Sequence, residues 1–168
     1  MNPSAQPGAE THTGAHTGAH ARAPMGARPI DLLLERYGES HRHRTNETIH
    51  CICVPAIVFS LLGLVWAVHP AAALALCAGS LWYYARLSRP FALGMLGLTV
   101  FMLVILAVMP TFAVIPVSIA VFVVAWIGQF IGHKIEGKQP AFFDDLRFLL
   151  VGPLFVLRLL YRRLGVAY

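Results

Sequence analysis

Hydrophobic positions run in long blocks, and the polar positions between them are few and clustered. After Glu47 the next Asp, Glu, Lys or Arg is Arg86, and after Arg89 it is Lys134, leaving uncharged runs of 38 and 44 residues. A helix needs about 20 apolar residues to cross a hydrocarbon core of about 30 Å, so each run has the length of two spans. Each run also has a turn signal near its middle. These are His69-Pro70 in the first, and Met109-Pro110 with Thr111 and Pro116 in the second. Proline lacks a backbone donor and disfavours helix at the residue before it, so both read as hairpin corners. The pattern predicts an all-α integral membrane bundle of four transmembrane helices, over about 50–68, 71–87, 91–109 and 112–132. The alternative, two buried helical hairpins in a soluble protein, fits poorly with uncharged runs of this length.

The flanks read differently. Residues 1–29 are rich in Gly, Ala, Thr, Pro and His without an apolar core, and read as a disordered tail rather than a secretory signal. Its repeat places His12, His16 and His20 four apart; such a set binds metal weakly at best, and low complexity is the simpler reading. Residues 30–164 form the single membrane domain, with 165–168 as its C-terminal end. Within it, Phe142–Arg163 is apolar in the middle, with charges toward its ends. Gly152-Pro153 is expected to break a helix there, so the segment reads as an interfacial or re-entrant element beneath the bundle.

Composition agrees with this picture. Hydrophobic residues make up 57% and charged residues 12%, far too little charge to cover a soluble domain, where about 25% is usual. The net charge of +5 would also suit nucleic acid, but its placement points to a lipid bilayer and no nucleic acid. All 13 Lys and Arg lie before the first span, in the Arg86–Arg89 connection, or after the fourth span. With four spans these places share one side, and the positive-inside rule puts both termini in the cytoplasm. Cys51, Cys53 and Cys77 lie within the spans without zinc-type spacing and read as reduced packing residues.

Polar residues at the span ends carry the candidate chemistry. Asn46 and His50 share a helix face at i and i+4, and Gln129, His133 and Glu136 share one at i, i+4 and i+7. Gly128 and Gly132 form a small-xxx-small pair that lets a neighbouring helix approach. An even number of spans returns His133 to the membrane surface of His41 and His50. Converging imidazoles make a metal site the sharp hypothesis, and three His with open positions suit Fe(II) or Zn(II). The plainer reading is interfacial residues capping helix ends. His69 is at the opposite surface as a corner residue, and His43, two residues from His41, points elsewhere.

Two motifs carry a family resemblance. Tyr-x3-His-x4-Asn-x3-His before an early Pro matches Tyr37, His41, Asn46, His50 and Pro55. Gln-x2-Gly-His-x2-Glu-Gly-x2-Pro-Ala matches Gln129, Gly132, His133, Glu136, Gly137, Pro140 and Ala141. Together, and separated by four spans, they resemble the membrane-bound 2-hydroxy fatty acid dioxygenases over roughly residues 30–164. The resemblance implies an Fe(2+)-dependent enzyme that takes a 2-hydroxy fatty acid and O2 and releases the acid one carbon shorter. It implies His41, His50 and His133 as iron ligands and catalytic residues. Asn46 and Glu136 become further ligands or groups that orient the imidazoles, and Gln129 and Tyr37 substrate or supporting contacts. Arg42, Arg44, Lys134 and Lys138 are candidates to pair with the substrate carboxylate or with anionic headgroups. The family pattern often carries an acid after Gly152-Pro153, where this chain has Arg158, so no role for such an acid is carried over. The implied location is an inner (cytoplasmic) membrane of bacterial type or the endoplasmic reticulum membrane.

Two other functions compete with this one. A small transporter or channel would need ionisable residues inside the spans, and apart from the peripheral histidines there are none. A metal-binding protein without catalysis would share the histidines and lack turnover.

Overall fold

The structure, a computed structural model, describes residues 28–39, 41–139 and 148–168. Among these, every regular element is a helix: α1 (Pro29–Gly38), α2 (Arg44–Val68), α3 (Pro70–Leu87), α4 (Arg89–Val108), α5 (Thr111–Glu136) and α6 (Phe148–Leu164). The tail reading for residues 1–27, and Pro140, Ala141, Phe142, Asp144, Asp145 and Arg147, lie outside the described residues.

Local chemistry sets the corners. His69 is extended (φ −163°, ψ 121°), ends α2 and opens α3. Its Nδ1 accepts the Ala71 N–H at 3.1 Å, and Pro70 takes the first helical position, where a missing donor costs nothing. The second corner is Met109-Pro110, extended at Met109 before α5 begins. At the far end of α5, Gly137 adopts φ 73°. There the Gly137 N–H reaches Lys134 O and the Lys138 N–H reaches His133 O, both at 3.3 Å. This pair of hydrogen bonds closes the helix just after Glu136.

α2 and α5 form the most extensive helix pair, and glycine makes their approach possible. A Cβ at Gly128 would lie 2.6 Å from Cys53 Sγ, and one at Gly132 would collide with Asn46 Oδ1. α2 also packs on α3, and α3 on α4. One core cluster, with Leu62, Ala73, Met102, Leu106 and Val114, fills the end of the bundle holding the two corners. The other joins Ile30, Leu34 and Tyr37 of α1 to Tyr84, Phe91 and Met95, and to Val151, Leu154 and Phe155 of α6. α1 and α6 therefore lie together at the end where α2 starts and α5 stops.

Three helices, α2, α4 and α5, are long and apolar enough to cross a membrane. α3 stands in the place of the expected second span; Pro70, Tyr83, Tyr84 and Arg86 dilute the apolar content of its 18 residues. The lateral surface is greasy: Leu93, Phe101, Val104, Val108, Phe112 and Val124 are each more than half exposed. An apolar surface this continuous marks contact with lipid or another partner rather than water.

A helix precedes the expected first span: α1 starts at Pro29, the last residue assigned to the tail, and buries Ile30, Leu34 and Tyr37 along one face. One expectation is corrected. Gly152-Pro153 does not break α6, which is continuous from Phe148 to Leu164. Pro153 is only the sixth residue of that helix, so few turns of hydrogen bonding precede it. Gly152 packs where any side chain would crowd Tyr37 Oη at 3.1 Å.

Candidate metal centre

The N-terminus of α2 and the C-terminus of α5 lie side by side, and three imidazoles meet between them. His50 sits in the second turn of α2, His133 in the last turn of α5, and His41 in the short connection from α1. All three are buried, with 2–4% exposure. One nitrogen of each lies within 4.8 Å of the others, and they form a group able to hold a metal ion. The rings are set edge to face, with centroids 4.1 Å apart for His41–His50 and 5.0 Å for each of the others to His133.

Hydrogen bonding decides which ring atoms are bare. His41 Nδ1 lies 2.7 Å from Tyr37 O, and His50 Nδ1 lies 3.3 Å from Asn46 O. A carbonyl can only accept, so both Nδ1 atoms carry the proton, and in the neutral rings both Nε2 atoms carry lone pairs. Those two Nε2 atoms face each other at 2.8 Å. Two acceptors at that distance repel unless a cation stands between or beside them. His133 Nδ1 is buried with no hydrogen-bond partner. Protonation is a poor answer, because burial pulls the His41 pKa down from 6.5 to about 4. A divalent metal ion fits this donor set: neutral imidazole is its commonest ligand, and here the second nitrogen of two rings is already anchored.

The remaining predicted residues surround this centre. Tyr37 stacks on His41, with ring centroids 4.3 Å apart and planes 7° apart. Burial pushes its hydroxyl pKa upward, keeping the phenol protonated. Glu136 stands outside the ligand group. Its Oε1 accepts the Arg42 N–H at 2.9 Å, and its Oε2 accepts the His43 N–H at 2.8 Å and Asn46 Nδ2 at 3.2 Å. It clasps the connection bearing His41 onto the end of α5. Lys138 Nζ adds a second strut to Glu39 O at 2.7 Å. Gln129 is buried one turn before His133, and its Oε1 has no donor. His43 caps α2 by accepting the Thr45 N–H at 3.2 Å, and His69 is at the far corner. The cysteines are free and apart from the centre.

An open cleft of about 550 Å³ leads to His41 between α1, the start of α2 and α6. Arg42, Arg158 and Arg162 line it together with Asp31, Glu35, Glu39, Glu47 and Phe155. Arg44 and Lys134 do not. Phe155 closes the inner end, with its ring 5.5 Å from His41 and 5.1 Å from Tyr37. Phe155, Arg158 and Arg162 were not among the expected site residues. Their i, i+3, i+7 spacing on one helix face was the available signal, and reading Gly152-Pro153 as a break concealed it.

No curated protein and no solved structure matches this chain. The model of the Mpo1-like family, described as 2-hydroxy-palmitic acid dioxygenase Mpo1-like, matches residues 28–164, and the chain belongs to that family.

Proposed function

We propose that this protein is a membrane-embedded, Fe(II)-dependent dioxygenase that converts a 2-hydroxy fatty acid and O2 to the fatty acid one carbon shorter, CO2 and water. The observation that carries the reading is the pair of bare Nε2 atoms, 2.8 Å apart, in a buried group of three histidines. The family description supplies the reaction class. Imidazole suits both iron and zinc, but zinc has no redox chemistry, so a dioxygenase reading selects iron. Bound there, iron would supply the redox-active centre that O2 needs and a position for the adjacent hydroxyl and carboxylate oxygens of the substrate.

The chain's own residues do the rest. His41, His50 and His133 hold the ion, and Glu136 and Asn46 orient the segments that carry them. The cleft admits the polar head, and Arg158, half-buried on its wall, pairs with the free carboxylate oxygen. Tyr37 and Phe155 screen His41 from water. Holding the head beside the metal makes the reaction effectively intramolecular. The domain comprises residues 30–164, together with Pro29 at the start of α1. With α3 as a fourth span, both termini share one side, and the basic residues place that side in the cytoplasm, in an inner membrane of bacterial type or in the endoplasmic reticulum.

The test is anaerobic loading of purified protein with Fe(II), followed by O2 uptake with 2-hydroxypalmitate and analysis for the fifteen-carbon acid. Bound iron without O2 uptake or shortened acid would leave a metal-binding protein and refute the dioxygenase.

A further inference from the structure

α6 has two working faces. Phe155, Arg158 and Arg162 line the head-group cleft, and Leu150 and Pro153, nearly half a turn around, line a second cavity of about 170 Å³. This cavity lies among α2, α3, α4 and α6, and its wall includes Leu62, Cys77, Ser80, Thr99 and Met102. No charged side chain lines it. The one phenol on its wall is satisfied, since Tyr84 Oη donates to Leu150 O at 3.0 Å. Helix α2 connects it to the metal centre. His50, Val54 and Val58 follow one another about a turn apart, and at 1.5 Å per residue the cavity begins about 12 Å from His50 and reaches about 18 Å at Leu62. Opposed acyl chains fill a hydrocarbon core of about 30 Å, so one chain reaches about 15 Å. The cavity therefore lies where the far part of a long alkyl chain falls when its head is at the histidines. Val54 Cγ1 and Tyr37 Oη both flank Gly152, next to Pro153 on the cavity wall.

We infer that this cavity is the chain-length slot of the enzyme, taking the terminal methylenes of a long saturated 2-hydroxy acid. The inference rests on the proposed dioxygenase function and adds a specificity site to it. Each methylene kept out of an apolar site costs about fourfold in affinity. Thr99→Phe or Ser80→Leu, which fill the slot from α4 or α3, therefore lower kcat/KM for 2-hydroxypalmitate by roughly fifteen- to sixtyfold, for two or three methylenes excluded. For 2-hydroxyoctanoate, too short to reach the slot, the change stays under about threefold, and that turnover also reports that the variants fold.

The assay compares kcat/KM for the two acids in wild type and both variants, alongside equilibrium binding of 2-hydroxypalmitate by displacement of a fluorescent fatty acid. A selective loss of the sixteen-carbon acid supports the slot. Equal losses for both acids overturn it and leave the cavity to a resident lipid or to packing. If the wild type turns over neither acid, the dioxygenase reading fails, and binding still decides the slot. Weaker 2-hydroxypalmitate binding in both variants upholds a chain site, and unchanged binding overturns it.

Discussion

Glu136 offers the sharpest test of how the metal centre is held. Its two oxygens engage three donors, of which the two backbone N–H groups, at 2.8 and 2.9 Å, are the stronger contacts. Hydrogen bonds to a charged group contribute about 1.5–3 kcal/mol. Glu136 is half-exposed, so water can replace part of each; the lower end for two contacts gives about 3 kcal/mol for the clasp. Part of that is lost to loop ordering that the metal itself can drive. Glu136→Ala is therefore expected to weaken iron binding ten- to hundredfold, the range typical of groups that orient metal ligands. Glu136→Gln keeps one acceptor oxygen but turns an amide donor toward a backbone donor, so it falls between, at roughly tenfold. The measurement is competition with a chelator of known iron affinity, together with the visible spectrum of the Co(II)-loaded protein, which reports the number and type of ligands. A positioning role leaves stoichiometry and spectrum unchanged. Alanine-variant affinity within twofold of wild type would refute the clasp, and a changed Co(II) spectrum would make Glu136 a ligand instead.

The other predictions concern the histidines, the helix seam and the cleft. His41→Ala, His50→Ala and His133→Ala are each expected to abolish stoichiometric iron by metal analysis, whereas His69→Ala retains it and loses only a helix cap, about 1 kcal/mol in thermal stability. In the metal-free protein, burial holds the His41 pKa at about 4 against 6.5 ordinarily. Between those values the unfolded chain binds a proton that the folded chain refuses, so stability is expected to fall as pH drops from about 6.5 to about 4. Melting temperature against pH in detergent measures this, and a flat profile would contradict it. Gly132→Ala forces α5 away from Asn46 and is expected to cost about 1–3 kcal/mol by overpacking, seen as a lower melting temperature with weaker iron binding. Arg158→Ala is expected to raise KM for 2-hydroxypalmitate by roughly tenfold or more, from loss of a charged hydrogen bond, with iron content unchanged.

Much of the bundle was legible because membrane burial writes itself into charge spacing. The uncharged runs and their prolines placed both corners within a residue or two of where α2, α3, α4 and α5 meet. The parity of four helices brought His41 and His50 to the end that holds His133, and the i, i+4 spacings put Asn46 and Gln129 on the inward faces. What periodicity could not show was whether a long apolar helix lies against lipid or protein. α3 differs from its neighbours in two adjacent tyrosines and in its shorter length, not in pattern. Nor could spacing distinguish Glu136 as ligand from Glu136 as clasp. That depends on two backbone N–H groups at Arg42 and His43, contributed by chain more than 90 residues earlier. The α6 face is hidden for another reason: Gly152-Pro153 is locally a break signal, and only the packing of Gly152 on Tyr37 accompanies the continuous helix.

The placement of Glu136 also breaks a local rule in a way that explains the centre. A carboxylate in the last turn of α5 opposes that helix's own macrodipole, whose C-terminal end carries about half a negative charge. Alone, α5 would be better served there by another cation beside Lys134. The antiparallel partner reverses the sign. Glu136 lies at the N-terminal end of α2, where free N–H groups and the positive end of a second dipole favour an anion. The carboxylate is thus unfavourable within its own helix and favourable only when α2 and α5 are paired in the register that brings His50 and His133 together. A residue satisfied in one register alone penalises the others. The same contact that positions His41 therefore helps select the helix pairing on which the three-histidine centre depends.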